Sequence, residues 1–149
     1  MYGRIIVPID GSALSSRACA EAIKLAVDQK AVLRFVHVVS YAFVSAVLGG
    51  TQTAELMRRM REDAQELLSE AVTAARKAEL ENVESRVIEH HATQIGEAIV
   101  EDARQWNADL IVMGTHGRRG FARLVMGSDA EYVARHSSVP VLLFPGAST

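Results

Sequence analysis

Five short apolar runs alternate with four stretches of helical periodicity, and no other property of the chain restricts its fold as much. Four of the runs are rich in branched apolar residues and scarcely alternate in polarity: Arg4–Ile9, Val32–Val39, Asp109–Met113 and Val139–Phe144. Such runs suit strands covered on both faces, as in a parallel sheet between two helix layers. The fifth, Val83–Glu89, sets Val83, Ser85 and Val87 against Glu84, Arg86 and Ile88, which predicts a half-exposed edge strand. Ser12 is placed to cap a first helix through Gln29, with Leu14, Ala18, Ala22 and Leu25 facing inward. A second helix is expected from about Thr53 to Glu79 on the stripe Leu56, Met60, Ala64, Leu67 and Ala71. A third runs from about Thr93 to Trp106, with Ile95, Ile99 and Trp106 inward. A fourth begins at Ser128 and ends near His136, where Ser128 and Glu131 have the spacing of a capping box. Strict alternation of strand and helix implies an α/β domain with a parallel sheet and right-handed crossovers.

The 149 residues suit a single domain, expected over 1–145 with 146–149 as a tail. The one long connection is 40–53, a length often associated with function. Lys+Arg 16 against Asp+Glu 18 leaves a net charge of −2, so whole-protein electrostatics offer nothing to nucleic acid or an acidic membrane. The first apolar run meets Asp10 too soon for a signal peptide, and the uncharged stretch from Phe35 to Ala54 is too broken for a transmembrane helix. The one cysteine, Cys19, has no intrachain disulfide partner, and a cytoplasmic home is expected.

In an open doubly wound sheet, ligands sit beyond the carboxyl ends of the strands. Two strand ends carry unusual residues here. The first, Pro8-Ile9-Asp10-Gly11-Ser12, lacks both G-x-G-x-x-G and G-x-x-x-x-G-K-[ST]. Asp10 reads either as part of a helix-entry turn or as an acceptor for a ribose hydroxyl or adenine amine, or an indirect metal ligand. The fourth strand runs into Gly114-Thr115-His116-Gly117-Arg118-Arg119-Gly120, and a helix opens at Gly127-Ser128. Glycines let backbone N–H groups approach a ligand, Arg118, Arg119 and Arg123 add positive charge, and a helix N-terminus favours phosphate. The combination points to an anion site.

These residues resemble the ATP-binding class of the universal stress protein family. Gly114-x2-Gly117-x9-Gly127-Ser128 matches its nucleotide-binding pattern. RIIVPIDGS is similar to its first strand and turn, FVHVV to its second strand, ADLIVMGTHGRRG to its fourth strand and loop, and GSDAEYVARHSSVPVLLF to its last helix and strand. The resemblance implies a Rossmann-like five-stranded parallel sheet of order 3-2-1-4-5 with four helices, and ATP, with Mg²⁺, held across the ends of the first and fourth strands. Pro8, Ile9 and Asp10 would line the adenosine side, with Val38 against adenine and Met113 and Gly114 near the ribose. Gly117, Arg118, Gly127 and Ser128 would meet the phosphates. Asp129, beside them, stands where many relatives carry an uncharged residue such as valine, and the Gly96-Glu97 turn lacks the proline often found there. The resemblance also implies a homodimer in which two Val139–Phe144 edge strands pair antiparallel, and a role in the stress response.

Other residues point to less. His90 and His91 are adjacent, so they share no face, and no Cys or carboxylate cluster accompanies them; no metal site is expected. His37 is expected as a satisfied core histidine, and Cys19 as core filling. Ser128 has no activating partner placed by sequence. A nucleotide-binding regulatory module is therefore expected rather than an enzyme. The alternatives are a slow ATPase or phosphotransferase using the same pocket, and a nucleotide-free structural dimer.

Overall fold

The computed structural model describes residues 1–47, 50–115 and 126–146. Its strands are β1 (Arg4–Pro8), β2 (Val32–Ser40), β3 (Val83–His90), β4 (Leu110–Gly114) and β5 (Val141–Phe144). All neighbours pair in parallel in the order β3-β2-β1-β4-β5, the doubly wound Rossmann-like arrangement. Apolar side chains leave the sheet on both faces, which is why the strands scarcely alternate. Ile5, Val7, Leu33, Phe35 and Val112 face α1 (Ala13–Gln29) and α3 (Thr51–Lys77). Ile6, Val36, Ile111 and Met113 face α4 (Ile95–Gln105) and α5 (Ser128–His136). Ile5, Ile6, Val7, Phe35, Val36 and Ile111 are wholly excluded from solvent. Each such side chain contributes about 1.5–3 kcal/mol. Cys19 packs in the first of these layers, where burial pushes its thiol up to about 11. Among the described residues, no helix is long and apolar enough to cross a membrane.

Four details depart from expectation. The described helices number five rather than four, because α2 (Ala42–Val47) forms within the 40–53 connection. It is short and carries no acid in its first turn and no base in its last that would have marked it; Val44 is buried and Phe43 is exposed. On α3 the inward stripe runs Met57, Met60, Ala64, Leu68, Ala71 and Ala75. It keeps Met60, Ala64 and Ala71 of the expected stripe, takes Met57 in place of the exposed Leu56, and buries Leu68 more deeply than Leu67. Helix α5 takes Gly127 as its N-cap, in extended backbone, and Ser128 is already helical. The Ser128–Glu131 capping box therefore does not form, and Glu131 pairs instead with Arg135 at 2.9 Å. Gly96 lies inside α4 rather than in a turn.

At the amino ends of the strands, charge is buried and paired. The Asp102 carboxylate on α4 is 3% exposed and accepts from Arg86 at 2.9 Å and from Arg34 at 3.4 Å. Arg34 also reaches Glu84 on β3 at 2.8 Å. The guanidinium carbons of Arg4 and Arg34 lie 4.2 and 4.4 Å from the Trp106 ring centroid, and Arg4 Nε donates to the Trp106 carbonyl at 2.9 Å. Asp109 receives the Gly3 and Arg4 backbone N–H groups, both at 3.0 Å. These contacts fasten the carboxyl end of α4 to three strands. The chain turns there through left-handed residues, Lys30, Glu79 and Asn107, with φ of 53°, 62° and 55°.

Candidate functional site

The carboxyl ends of β1 and β4 lie side by side, since Ile5 and Ile6 pair with Leu110 and Ile111. At the end of β1 the chain turns sharply into α1. Gly11 adopts φ of 80°, a conformation glycine takes without steric cost. The Asp10 carboxylate accepts the Ser12 N–H at 2.9 Å, Ser12 Oγ caps Ser15 N–H at 3.1 Å, and Ser15 Oγ accepts the Asp10 N–H at 3.1 Å. Asp10 thus does serve as a helix-entry acid, with one oxygen committed to the turn. Ile9 N–H donates to the Val36 carbonyl at 2.8 Å. His37 Nδ1 lies 2.6 Å from the Ile9 carbonyl, which as an acceptor requires the proton on that nitrogen. His37 is thereby a satisfied histidine.

The expected residues separate by sheet face. Val38 and Met113 pack in the layer of α4 and α5, and Pro8 pairs with Val36 of that layer. The Ile9 side chain instead lies in the core beneath α1. It therefore offers the strand end backbone only, and both its backbone groups are in use.

The end of β4 is tied to the start of α5. Thr115 N–H donates to the Phe144 carbonyl at 2.9 Å, and Gly127 N–H donates to the Thr115 carbonyl at 2.7 Å. The second bond brings the opening of α5 back to the end of β4, beside β1. Among the described residues no side chain caps that opening, and Ser128 is exposed. First-turn N–H groups without a capping side chain, with the positive end of the helix dipole, are suited to an anion. Gly114 closes β4 opposite Phe144. Gly117 and Arg118 lie outside the described residues.

Asp129 was expected to border the phosphates. Its side chain reaches across to α4, where Oδ1 accepts the Gly96 N–H at 3.2 Å. Gln94, the N-cap of α4, gives no side-chain bond, so Asp129 supplies that cap from the neighbouring helix. The approach is close: a Cβ added at Gly96 would stand 2.9 Å from both the Asp129 carbonyl oxygen and Tyr132 Cβ. Burial holds the Asp129 carboxyl above the usual aspartate range, the Gly96 bond opposes this, and the charge of Asp10 adds to it. Asp10 and Asp129 therefore feel each other across the mouth formed by β1 and α5. The contact of Gly96 with Asp129 is what sequence reasoning missed; the available signal was a glycine inside a helical pattern, which often marks a close approach.

Two clefts among the described residues lie elsewhere. One borders Thr51, Glu55 and Arg59 on α3, and the other lies between Val100 and Arg104 of α4 and Ser137–Val139. No group of three or more His, Cys, Asp or Glu suited to a metal ion occurs among the described residues.

Comparison with known proteins bears on this arrangement. The sequence profile of the Universal stress protein family matches residues 1–145. The universal stress protein MJ0531 of Methanocaldococcus jannaschii is 32% identical over 144 residues, covering 96% of this chain and 82% of that protein. A crystal structure from the same family in Burkholderia pseudomallei is 30% identical, with a TM-score of 0.77 and 97% of each chain covered. A universal stress protein crystallised in complex with cAMP is 27% identical, with a TM-score of 0.69 and 97% of each chain covered.

Proposed function

The chain belongs to the universal stress protein family, and from that premise we propose that it is a cytoplasmic adenine-nucleotide-binding module of the stress response. ATP with Mg²⁺ is its ligand, held between the carboxyl ends of β1 and β4. The observation that carries this reading is the opening of α5. Among the described residues it has no side-chain cap, and the Thr115–Gly127 bond delivers it beside the two strand ends. The residues present fit a nucleotide: Val38 and Met113 offer apolar surface, Pro8 and Asp10 an edge, and Gly127 and Ser128 a helix N-terminus. The relative crystallised with cAMP supports an adenine nucleotide as the class of ligand. Mg²⁺ would neutralise phosphate charge, with Asp10 and Asp129 as the carboxylates nearest to it.

The module binds and does not turn over. Asp10 and Asp129 each commit a carboxylate oxygen to a backbone N–H, which suits them to hold structure rather than to exchange protons. The protein assembles as a homodimer. β5 lies at the edge of the sheet with Leu142 exposed, and an apolar edge strand calls for a partner. A second copy of the same strand completes a two-fold pairing. Pro140, with no N–H to give, limits how far it extends.

Native mass spectrometry of the purified protein tests both statements together. The expected spectrum is a dimer carrying one adenine nucleotide per chain after addition of Mg²⁺ and ATP. Gly127→Val, which obstructs backbone approach, is expected to lose the nucleotide. A chain that binds no nucleotide at millimolar Mg·ATP overturns the reading.

A further inference from the structure

Resting on that reading, we infer that Asp129 makes the site a charge filter: it ranks adenine nucleotides by the negative charge they bring to the opening of α5. Monophosphates and Mg²⁺-bound ATP are accepted, and metal-free ATP is disfavoured.

The inference begins from the fixed position of the carboxylate. An acid in the first turn of an exposed helix can swing into solvent when an anion arrives. Asp129 has less freedom, because its Oδ1 is bonded to the Gly96 N–H at 3.2 Å and the residue is half-buried. The helix bearing that N–H lies close by, since Gly96 packs against the Asp129 carbonyl and Tyr132 with no room for even a methyl group. Among the described residues, no basic side chain forms an ion pair with Asp129. The charge of Asp10 already acts on it from the β1 side, so a ligand that spans β1 and α5 lies near both carboxylates.

Phosphate at the α5 N-terminus therefore experiences two opposed influences. The helix end attracts the first phosphate group. Each further uncompensated charge meets a carboxylate held in place by its bond to the Gly96 N–H. Two unit charges separated by a few ångströms in a partly desolvated setting repel more strongly than the helix end attracts. A monophosphate meets the attraction with little of the repulsion, and Mg²⁺ removes the excess charge from ATP. Metal-free ATP experiences the repulsion in full.

The test compares affinities by calorimetry for AMP, Mg·ATP and ATP with chelator, in the parent and in Asp129→Asn. The asparagine keeps an oxygen for the Gly96 N–H, so the helix contact survives and only the charge is lost. Ratios within one protein are compared, so a small change in the folded fraction does not alter the result. In the parent, AMP and Mg·ATP are expected to bind more tightly than metal-free ATP. In Asp129→Asn, metal-free ATP is expected to gain about tenfold, equivalent to about 1.4 kcal/mol, while AMP gains less than about threefold. A common factor for AMP and metal-free ATP, or no change in either, overturns the filter and leaves the nucleotide reading standing. If none of the three ligands binds the parent, the nucleotide reading fails and the filter falls with it.

Discussion

Asp102 and Asp129 are both drawn out of bulk water, yet the two ends of the sheet hold them differently. At the amino end, Asp102 is 3% exposed and meets two guanidinium groups, one of which also lies over Trp106. At the carboxyl end, Asp129 meets a backbone N–H and, across the mouth, a second carboxylate. The first end is built from long side chains whose charges cancel. The second is built from glycines, short acids and exposed backbone, with a backbone N–H against the Asp129 carboxylate. A buried carboxylate is tolerated when paired and costly when not. The molecule thus holds the carboxylate at one end with guanidinium groups and the carboxylate at the other with a backbone N–H. Helix α4 spans the two, with Asp102 and Trp106 near one terminus and Gly96 near the other.

The division of labour is open to attack from either side. Asp102→Ala removes the buried carboxylate that Arg86 and Arg34 share, while Arg34 keeps Glu84 at 2.8 Å, and is expected to cost about 1–3 kcal/mol. Thermal unfolding checks it, with a fall in melting temperature of roughly 5 °C. If the amino end serves stability alone, the folded fraction of this variant still shows the full nucleotide-induced rise in melting temperature. Loss of that rise would mean that the ends are not separable.

Gly96→Ala attacks the other end. Alanine gains up to about 1 kcal/mol of helix propensity, but overpacking against backbone costs about 1–3 kcal/mol, so a net loss is expected. Urea unfolding measures it. Because the added methyl separates the openings of α4 and α5, nucleotide binding is also expected to weaken, which Asp102→Ala should not cause.

The smallest effect distinguishes the two carboxylates by pH. The Asp129 carboxyl lies above its ordinary value of 3.8 in the folded protein, so its protonated form is the one that folding favours. Whatever stability it contributes is complete below that ordinary value and is lost as pH rises through the raised folded value. Asp129→Asn is therefore expected to raise the melting temperature of the ligand-free protein at neutral pH, by roughly 1–2 °C. The gain should fade as the solution is acidified below pH 3.8. A gain of equal size at all pH values would indicate a packing effect instead.

Much of this architecture was legible in the residues. Unbroken branched runs such as RIIVPI and DLIVM require cover on both faces, and the alternating VESRVIE marked an edge; β3 is indeed the strand at that edge. The strand order came from the family resemblance rather than from periodicity. Helix α2 escaped notice because Ala-Phe-Val-Ser-Ala-Val is short and carries no charge to read. The α3 stripe matches expectation at Met60, Ala64 and Ala71 and differs at Leu56 and Leu67, whose neighbours Met57 and Leu68 lie deeper. At the site, Asp10 and the Gly127-Ser128 opening could be read from local pattern. The Asp129–Gly96 bond joins residues 33 apart, and the Asp102–Arg34 pair joins residues 68 apart. Pairings at such separations are set by the fold and leave no periodic trace.

The left-handed turns at the amino end bear on how the protein can change over time. Lys30 and Glu79 hold positive φ without being glycine, a conformation that costs an ordinary residue about 1–2 kcal/mol. That cost is a latent reserve, located far from the carboxyl ends of β1 and β4. One substitution to glycine in either turn can release part of it without touching the mouth of the site. A lineage that acquired such a change would gain room to accept destabilising replacements around Gly96, Gly127 or Asp129, where new ligand preferences arise. The least refined turns of the molecule are in this sense a source of its evolvability.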